Sequence, residues 1–303
     1  MNGNLNEQFI RKPKIAVDVV LDTDTYNEID DQYALAYLIR SNDKLKLQAI
    51  YAAPFSNKKC ETPDEGMEKS YDEIMNILEL MNETELKKIV KKGSREYMHS
   101  ETEPVISDAA LDLSERAMNY TEENPLYVIA IGAITNIASA LLINPEIKNR
   151  IVLIWLGGHA YWWPDNREFN LMQDVNAGRI AFGCGVPMVQ LPCMGVVSAL
   201  TTSGPELKHH LGGKNALCDY LIKVTENEAL SEGGNSTWTR AIWDVSAVAW
   251  LLDEEFEKDA IVYSPIPEFD HHYAFSQNRN QIRYVYHVDR DKIFYDLFKK
   301  LKK

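Results

Sequence analysis

The chain has 303 residues, 45% of them hydrophobic and 25% charged, an ordinary globular composition that excludes a disordered chain, a collagen or a disulfide mini-scaffold. Its 32 Lys and Arg against 45 Asp and Glu leave a formal charge of −13. A field of that sign repels phosphate backbones and argues against a nucleic-acid partner, while leaving a neutral small molecule or a divalent cation unhindered.

Residues 1–13 read as a loose N-terminal extension and residues 14–303 as a single domain, since no repeat, low-complexity stretch or Pro/Gly/Ser-rich linker divides them. The short apolar run at 15–21 predicts a buried strand, ended by Asp22. Residues 30–39 follow as a helix with Ala34, Leu35 and Leu38 on one face. A second strand at 47–53 closes at Pro54, and an amphipathic helix covers 65–81. Strands at 126–131, 151–156 and 188–191 alternate with helices at 135–143 and 174–182, and a strongly apolar helix spans 243–251 with Asp244 at its start. Such alternation predicts an α/β, Rossmann-like fold: a mostly parallel central sheet with helices on both faces. The long loops, 54–65, 158–168 and 229–241, are the candidates to surround a ligand beyond the carboxyl ends of the strands.

Cys60, Cys184, Cys193 and Cys218 form no CxxC pair, so zinc is unsupported, and free buried thiols in a reducing compartment are expected. The polar first residues do not make a signal peptide. The apolar runs fall short of the roughly 20 residues of a membrane span. The expectation is a cytoplasmic protein with no membrane partner.

The most informative segment is Leu21-Asp22-Thr23-Asp24-Thr25-Tyr26-Asn27-Glu28-Ile29-Asp30-Asp31, with five carboxylates within ten residues directly after a strand and before a helix. A solvated acidic loop is the simpler reading of a charge run. At a strand's carboxyl end, however, crowded carboxylates call for a hard cation, because Ca²⁺ takes about 6–8 oxygen ligands. An EF-hand does not fit: its sixth and twelfth positions, counted from Asp22, hold Asn27 and Tyr33 rather than Gly and Glu. Asp22-Thr23-Asp24-Thr25 matches the two aspartates of a haloacid-dehalogenase-like phosphohydrolase with Asp22 as nucleophile. That alternative stays open although no convincing later Gly-Asp-x-x-x-Asp follows.

Four further segments, in order, resemble the inosine/uridine-preferring nucleoside hydrolase family. That family opens with Asp-x-Asp-Pro-Gly-x-Asp-Asp after its first strand, and Asp22-Thr23-Asp24 with Asp30-Asp31 is similar to it. Gly132-Ala133-Ile134-Thr135-Asn136-Ile137-Ala138 resembles the family's Gly-Pro-Leu-Thr-Asn-Ile-Ala segment, and Ile154-Trp155-Leu156-Gly157-Gly158 its apolar strand ending in Gly-Gly. Glu168-Phe169-Asn170 with Asp174 matches a Glu-Phe-Asn motif followed by Asp, and Trp243-Asp244 stands where the family has His-Asp or Trp-Asp.

The resemblance, which spans about residues 15–300, implies a Ca²⁺-dependent hydrolase that cleaves the N-glycosidic bond of ribonucleosides to free base and ribose, with a place in purine salvage. It implies that Asp24, Asp31, the backbone carbonyl of Thr135 and Asp244 bind Ca²⁺, and that Asp24 is also general base toward a metal-bound water. Asp30, Glu168 and Asn170 are implied as sugar contacts, with Asn57 a further candidate in the loop after the second strand. It also implies a homodimer or homotetramer. The chemistry agrees: breaking a sugar–base bond places positive charge on the ribose, which an anionic pocket stabilises. A non-catalytic nucleoside or ribose binder is the other alternative.

Two departures stand out. Five residues, 25–29, separate Asp24 from Asp30 where the family usually has three, and the Pro-Gly turn is missing, so the roles of Glu28, Asp30 and Asp31 are open to permutation. Trp243 replaces the His that serves as leaving-group acid in many members; a purine-preferring branch has Trp there. Trp162, Trp238 and Trp243 are therefore expected to stack on a base, which points to purine nucleosides. Trp155 and Trp250 read as core, and Asp174 as a helix cap.

Overall fold

A computed structural model of the chain describes residues 11–231, 233 and 237–303; most of the predicted extension and part of the predicted 229–241 loop lie outside the described residues. In chain order the elements are β1 (Val17–Thr23), α1 (Asp30–Ile39), β2 (Leu45–Ala52), α2 (Pro63–Leu80), β3 (Val90–Lys92), α3 (Asp108–Arg116), β4 (Leu126–Ala130), α4 (Thr135–Ile143), β5 (Ile151–Leu156), α5 (Phe169–Gln173), α6 (Val175–Gly183) and β6 (Met188–Leu191). They continue with β7 (Thr201–Ser203), α7 (Gly204–Leu211), α8 (Ala216–Ser231), β8 (Thr239–Ala241), α9 (Val245–Leu252), β9 (Glu257–Tyr263), β10 (Ile266–Pro267), β11 (Tyr273–Ala274), β12 (Gln281–Val288) and α10 (Arg290–Leu301).

Eight strands make the central sheet in the order β3-β2-β1-β4-β5-β6-β12-β9. Every pairing is parallel except that of the edge strand β9 with β12. Period-2 alternation sends side chains into two cores. Val19, Leu21, Ile129, Ile154 and Leu156 enter one with α1 and α9; Val20, Val128, Leu153 and Trp155 enter the other with α4 and α6. The α/β, mostly parallel architecture is thus as predicted. The first strand starts at Val17, not at residue 15, and Ile15 is solvent-exposed. Among the described residues no helix is long and apolar enough to cross a membrane.

The order reverses at β1. The chain leaves β1 through α1 to β2 on one side, and returns later to β4 on the other. In a doubly wound sheet this reversal opens a crevice beyond the strands' carboxyl ends, and the acid-rich loop 24–29 lies at that point. All ten residues of α1 are buried, as are all eight of α9. These two helices pack on each other and on the sheet, so their N-termini are held rigidly.

Candidate active site

Acidic residues collect here because of where helices begin. Asp30 and Asp31 occupy the first turn of α1, and Asp244 is the N-cap of α9. Both positions carry the positive end of a helix dipole, which favours negative charge. Neither helix start uses an acidic side chain as its own cap, so the carboxylates are left for the crevice. Asp30 Oδ2 instead accepts the backbone N–H of Asp244 at 3.2 Å, which joins two helix starts 214 residues apart. The loop turns between them through Asn27, whose N–H donates to the Asp24 carbonyl at 2.7 Å.

One carboxylate oxygen from each of Asp30, Asp31 and Asp244 lies within 4.8 Å of the others. They line a cavity of about 120 Å³ together with Asp24, Asn27, Glu28, Glu168, Asn170 and Trp243. At an effective dielectric of about 20, two ionised carboxylates at that spacing repel by roughly 3 kcal/mol. Three such pairs approach the entire stability of a domain, about 5–15 kcal/mol. Protons or a cation must therefore neutralise the cluster. Burial, and then Asp31, Asp30 and Glu28, push the Asp24 carboxyl well above the ordinary range. Burial with Glu28 and Asp31 does the same to Asp30, and burial with Asp30 and Asp31 to Asp244. Burial lifts Asp31 to about 7, against hydrogen bonds from Thr23 and Asp244. Asp24 Oδ2 is buried with no hydrogen-bond partner among the described residues. Buried oxygen donors, one orphaned, with charge that no Lys or Arg among the described residues of the cavity wall opposes, suit a hard divalent cation.

The site residues expected from sequence divide into two groups. Asp24, Asp30, Asp31, Glu168, Asn170, Trp243 and Asp244 meet at this cavity. The tight oxygen cluster takes in Asp30, expected at the sugar, rather than Asp24, which borders it. Glu168 caps α5: its carboxylate accepts the N–H groups of Gly158, Asn170 and Leu171 at 2.8–2.9 Å. Asn170 Nδ2 donates to the Leu156 carbonyl at 3.0 Å.

The other group does not line the cavity. Thr135 is fully buried at the first turn of α4, and its hydroxyl donates to Asp174 at 2.7 Å. Asn57 stands behind the acid loop, its Nδ2 donating to Asn27 Oδ1 at 2.8 Å. Trp162 is 69% exposed and packs over Gly195. Trp238 lies against Gly204 at the start of α7. Of the expected tryptophan cluster only Trp243 lines the cavity, because exposed Trp162 lies over Gly195 and half-buried Trp238 packs against the core beside Gly204. Asp174 accepts from Ala177 N at 3.0 Å as the predicted cap of α6, and Trp155 and Trp250 are fully buried. Asn27 and Cys193 also border the cavity. Asn27 carried no site reading in sequence, and Cys193 reads there as a buried thiol.

Asp22 does not reach the cavity. Strand alternation turns it away from Asp31, and Asn136 Nδ2 donates to its Oδ1 at 2.8 Å. It is wholly buried, which removes the in-line access that a phosphohydrolase nucleophile needs.

The sequence profile of the inosine-uridine preferring nucleoside hydrolases matches residues 19–294. The chain is 27% identical over 199 residues to a pyrimidine-specific ribonucleoside hydrolase, RihA, of Enterobacter sp. (strain 638); the match covers 58% of this chain and spans only 59% of that relative's length. Among solved structures, an inosine-guanosine nucleoside hydrolase shares its fold with a TM-score of 0.74, 15% identity and coverage of 95% of this chain and 99% of that one. A purine-preferring ribonucleoside hydrolase from Gardnerella vaginalis does so with a TM-score of 0.70, 20% identity and coverage of 94% and 98%. With most of its length matched by one family profile, the chain belongs to the inosine-uridine preferring nucleoside hydrolase family.

Proposed function

We propose that the chain, as one catalytic domain over residues 14–303, is a Ca²⁺-dependent hydrolase that cleaves the N-glycosidic bond of ribonucleosides, purine nucleosides preferred, to free base and ribose. The observation that carries this reading is the meeting of Asp24, Asp30, Asp31 and Asp244 in one buried cavity at the sheet's switch point. In this reading Asp31, Asp244 and Asp24 hold the cation, and Asp30 is shared between cation and ribose hydroxyls. Held there, Ca²⁺ would supply Lewis-acid chemistry, lowering the pKa of water and favouring the sugar's hydroxyl oxygens. Asp24, whose Oδ2 has no partner among the described residues, receives the proton of the attacking water. Asn170 and the capped Glu168 orient the hydroxyl-bearing edge of the sugar. The surrounding anionic wall stabilises the oxocarbenium-like charge as the bond to the base breaks. Trp243 offers its indole face to the departing base, which favours the larger purine surface. A cytoplasmic location, suggested by the four free cysteines, and a homodimer or homotetramer complete the proposal.

The test is release of reducing sugar from inosine and from uridine by the full chain in Ca²⁺, against the same protein in chelator. Calcium-dependent release, faster from inosine, is expected. Faster release from uridine would overturn the purine preference. Tight nucleoside binding without release would leave a binder in place of a hydrolase.

A further inference from the structure

The stretch 25–29 is where the chain departs from its family's opening motif, having lost the Pro-Gly turn. A loop that carries mutually repelling carboxylates needs something to set its path, and here the hold comes from the loop after β2. Lys59 Nζ donates to the Asn27 carbonyl at 2.7 Å and to the Tyr26 carbonyl at 3.3 Å. It is paired with Glu228 Oε2 of α8 at 3.1 Å and lies 5.7 Å from the centroid of the Tyr26 ring. The segment presenting it is itself fixed: Lys59 N–H donates to Asn57 Oδ1 at 2.7 Å, and Asn57 and Cys60 form an isolated antiparallel bridge. The ammonium thus sits at a joint of three elements, with both bound carbonyls between Asp24 and Asp30.

We infer that Lys59 is a positioning residue, a clip from the loop after β2 that replaces the missing turn and sets the spacing of the cation-binding carboxylates. An ammonium suits this task because it has three donors and a charge opposite to that of the loop it holds. Glu228 aims the donors, and through it the end of α8 is tied to the same joint. Only the cation arm of the test rests on the function proposed above.

The variants are Lys59→Met, which keeps most of the stem and loses charge and donors, and Lys59→Arg, which restores both. Glu228→Gln, which leaves the loop untouched, serves as a milder variant should Lys59→Met not fold. In the chelated full chain, hydrogen exchange of amides in 24–31 should be about tenfold faster in Lys59→Met, with β5 unchanged, and largely restored in Lys59→Arg. Glu228→Gln should show a smaller acceleration in the same peptides. By calorimetry, Ca²⁺ affinity should fall about 10–100-fold in Lys59→Met, as when a group that orients metal ligands is lost. Wild-type exchange at 24–31 in a folded Lys59→Met, or in Glu228→Gln where Lys59→Met does not fold, would overturn the clip, as would unchanged Ca²⁺ affinity. Absence of Ca²⁺ binding by the wild-type chain would overturn the proposed function instead, and the exchange comparison would then decide the clip by itself.

Discussion

Asp22 and Asp24 are two residues apart and face different surroundings. Each has a buried Oδ2 without a partner among the described residues, but Asp24 opens on the cavity, whereas Asp22 is buried away from it and bonded to Asn136. The proposed function therefore predicts that Asp24→Asn lowers kcat by about 10²–10⁴-fold, the usual weight of a general base, while Asp22→Asn lowers it less than about tenfold. Initial rates of reducing-sugar release would check both, and the reverse order would return the phosphohydrolase reading. Asp22 should instead be visible in stability. Burial raises its carboxyl from 3.8 to about 7, so the folded chain keeps a proton that the unfolded chain gives up. Its contribution to stability is fully present below about pH 4 and is lost as pH rises toward about 7. In chelated protein, Tm should fall across that window, and Asp22→Asn should flatten the slope, since the amide has no proton to lose. Equal slopes in both proteins would show that Asp22 ionises freely.

Helix starts, not strand ends alone, gather the site. α1 brings Asp30 and Asp31, α9 brings Asp244, and α5 brings Glu168 with Asn170. Glu168 holds three backbone N–H groups, so Glu168→Ala leaves buried donors unpaired. It should destabilise the fold by roughly 1–3 kcal/mol and raise KM as Asn170 loses its footing. Glu168→Gln, which keeps an acceptor, should be milder by thermal melt and by KM. Of these helix starts, that of α1 was legible in sequence to the residue and that of α9 to within two residues, whereas α5 fell in no predicted helix; residues 135–143 and 151–156 also match their elements, each an apolar run with a sharp polar boundary. β9 and β12 escaped such a reading. β9 is an edge strand that opens on three charged residues, 257–259, and leaves only the four-residue apolar run 260–263, while β12 mixes buried Ile282 and Val285 with exposed Tyr286, so neither stands out as a buried strand. The loop contacts of Asn57, Trp162 and Trp238 were not legible either, since a loop side chain's direction depends on partners remote in sequence, such as Asn27, Gly195 and Gly204.

At the scale of the whole molecule, the net charge of −13 and the acid cluster act together. The chain repels itself, and its strongest repulsion is concentrated where β1, α1 and α9 meet, at the centre of the sheet. A cation bound there relieves that strain only in the folded state, because the unfolded chain does not bring residues 31 and 244 together. Binding should therefore appear as stability: at a free concentration 100 times the dissociation constant, a one-site ligand adds about 2.7 kcal/mol. For a chain of this size that raises Tm by roughly 4 °C. Thermal melts at pH 7.5 in chelator, excess Mg²⁺ and excess Ca²⁺ should rank Ca²⁺ highest, because crowded carboxylates from separate elements suit a large, flexible coordination sphere better than the strict octahedron of Mg²⁺. The gap should close near pH 4, where protonated carboxylates no longer repel and no longer bind. Asp244→Asn should remove most of the Ca²⁺ gain while raising the Tm of the chelated protein, since one repelling charge is gone. A chelated Asp244→Asn protein less stable than chelated wild type would show that the acid cluster is not under electrostatic strain, and the case for a resident cation would lose its physical basis.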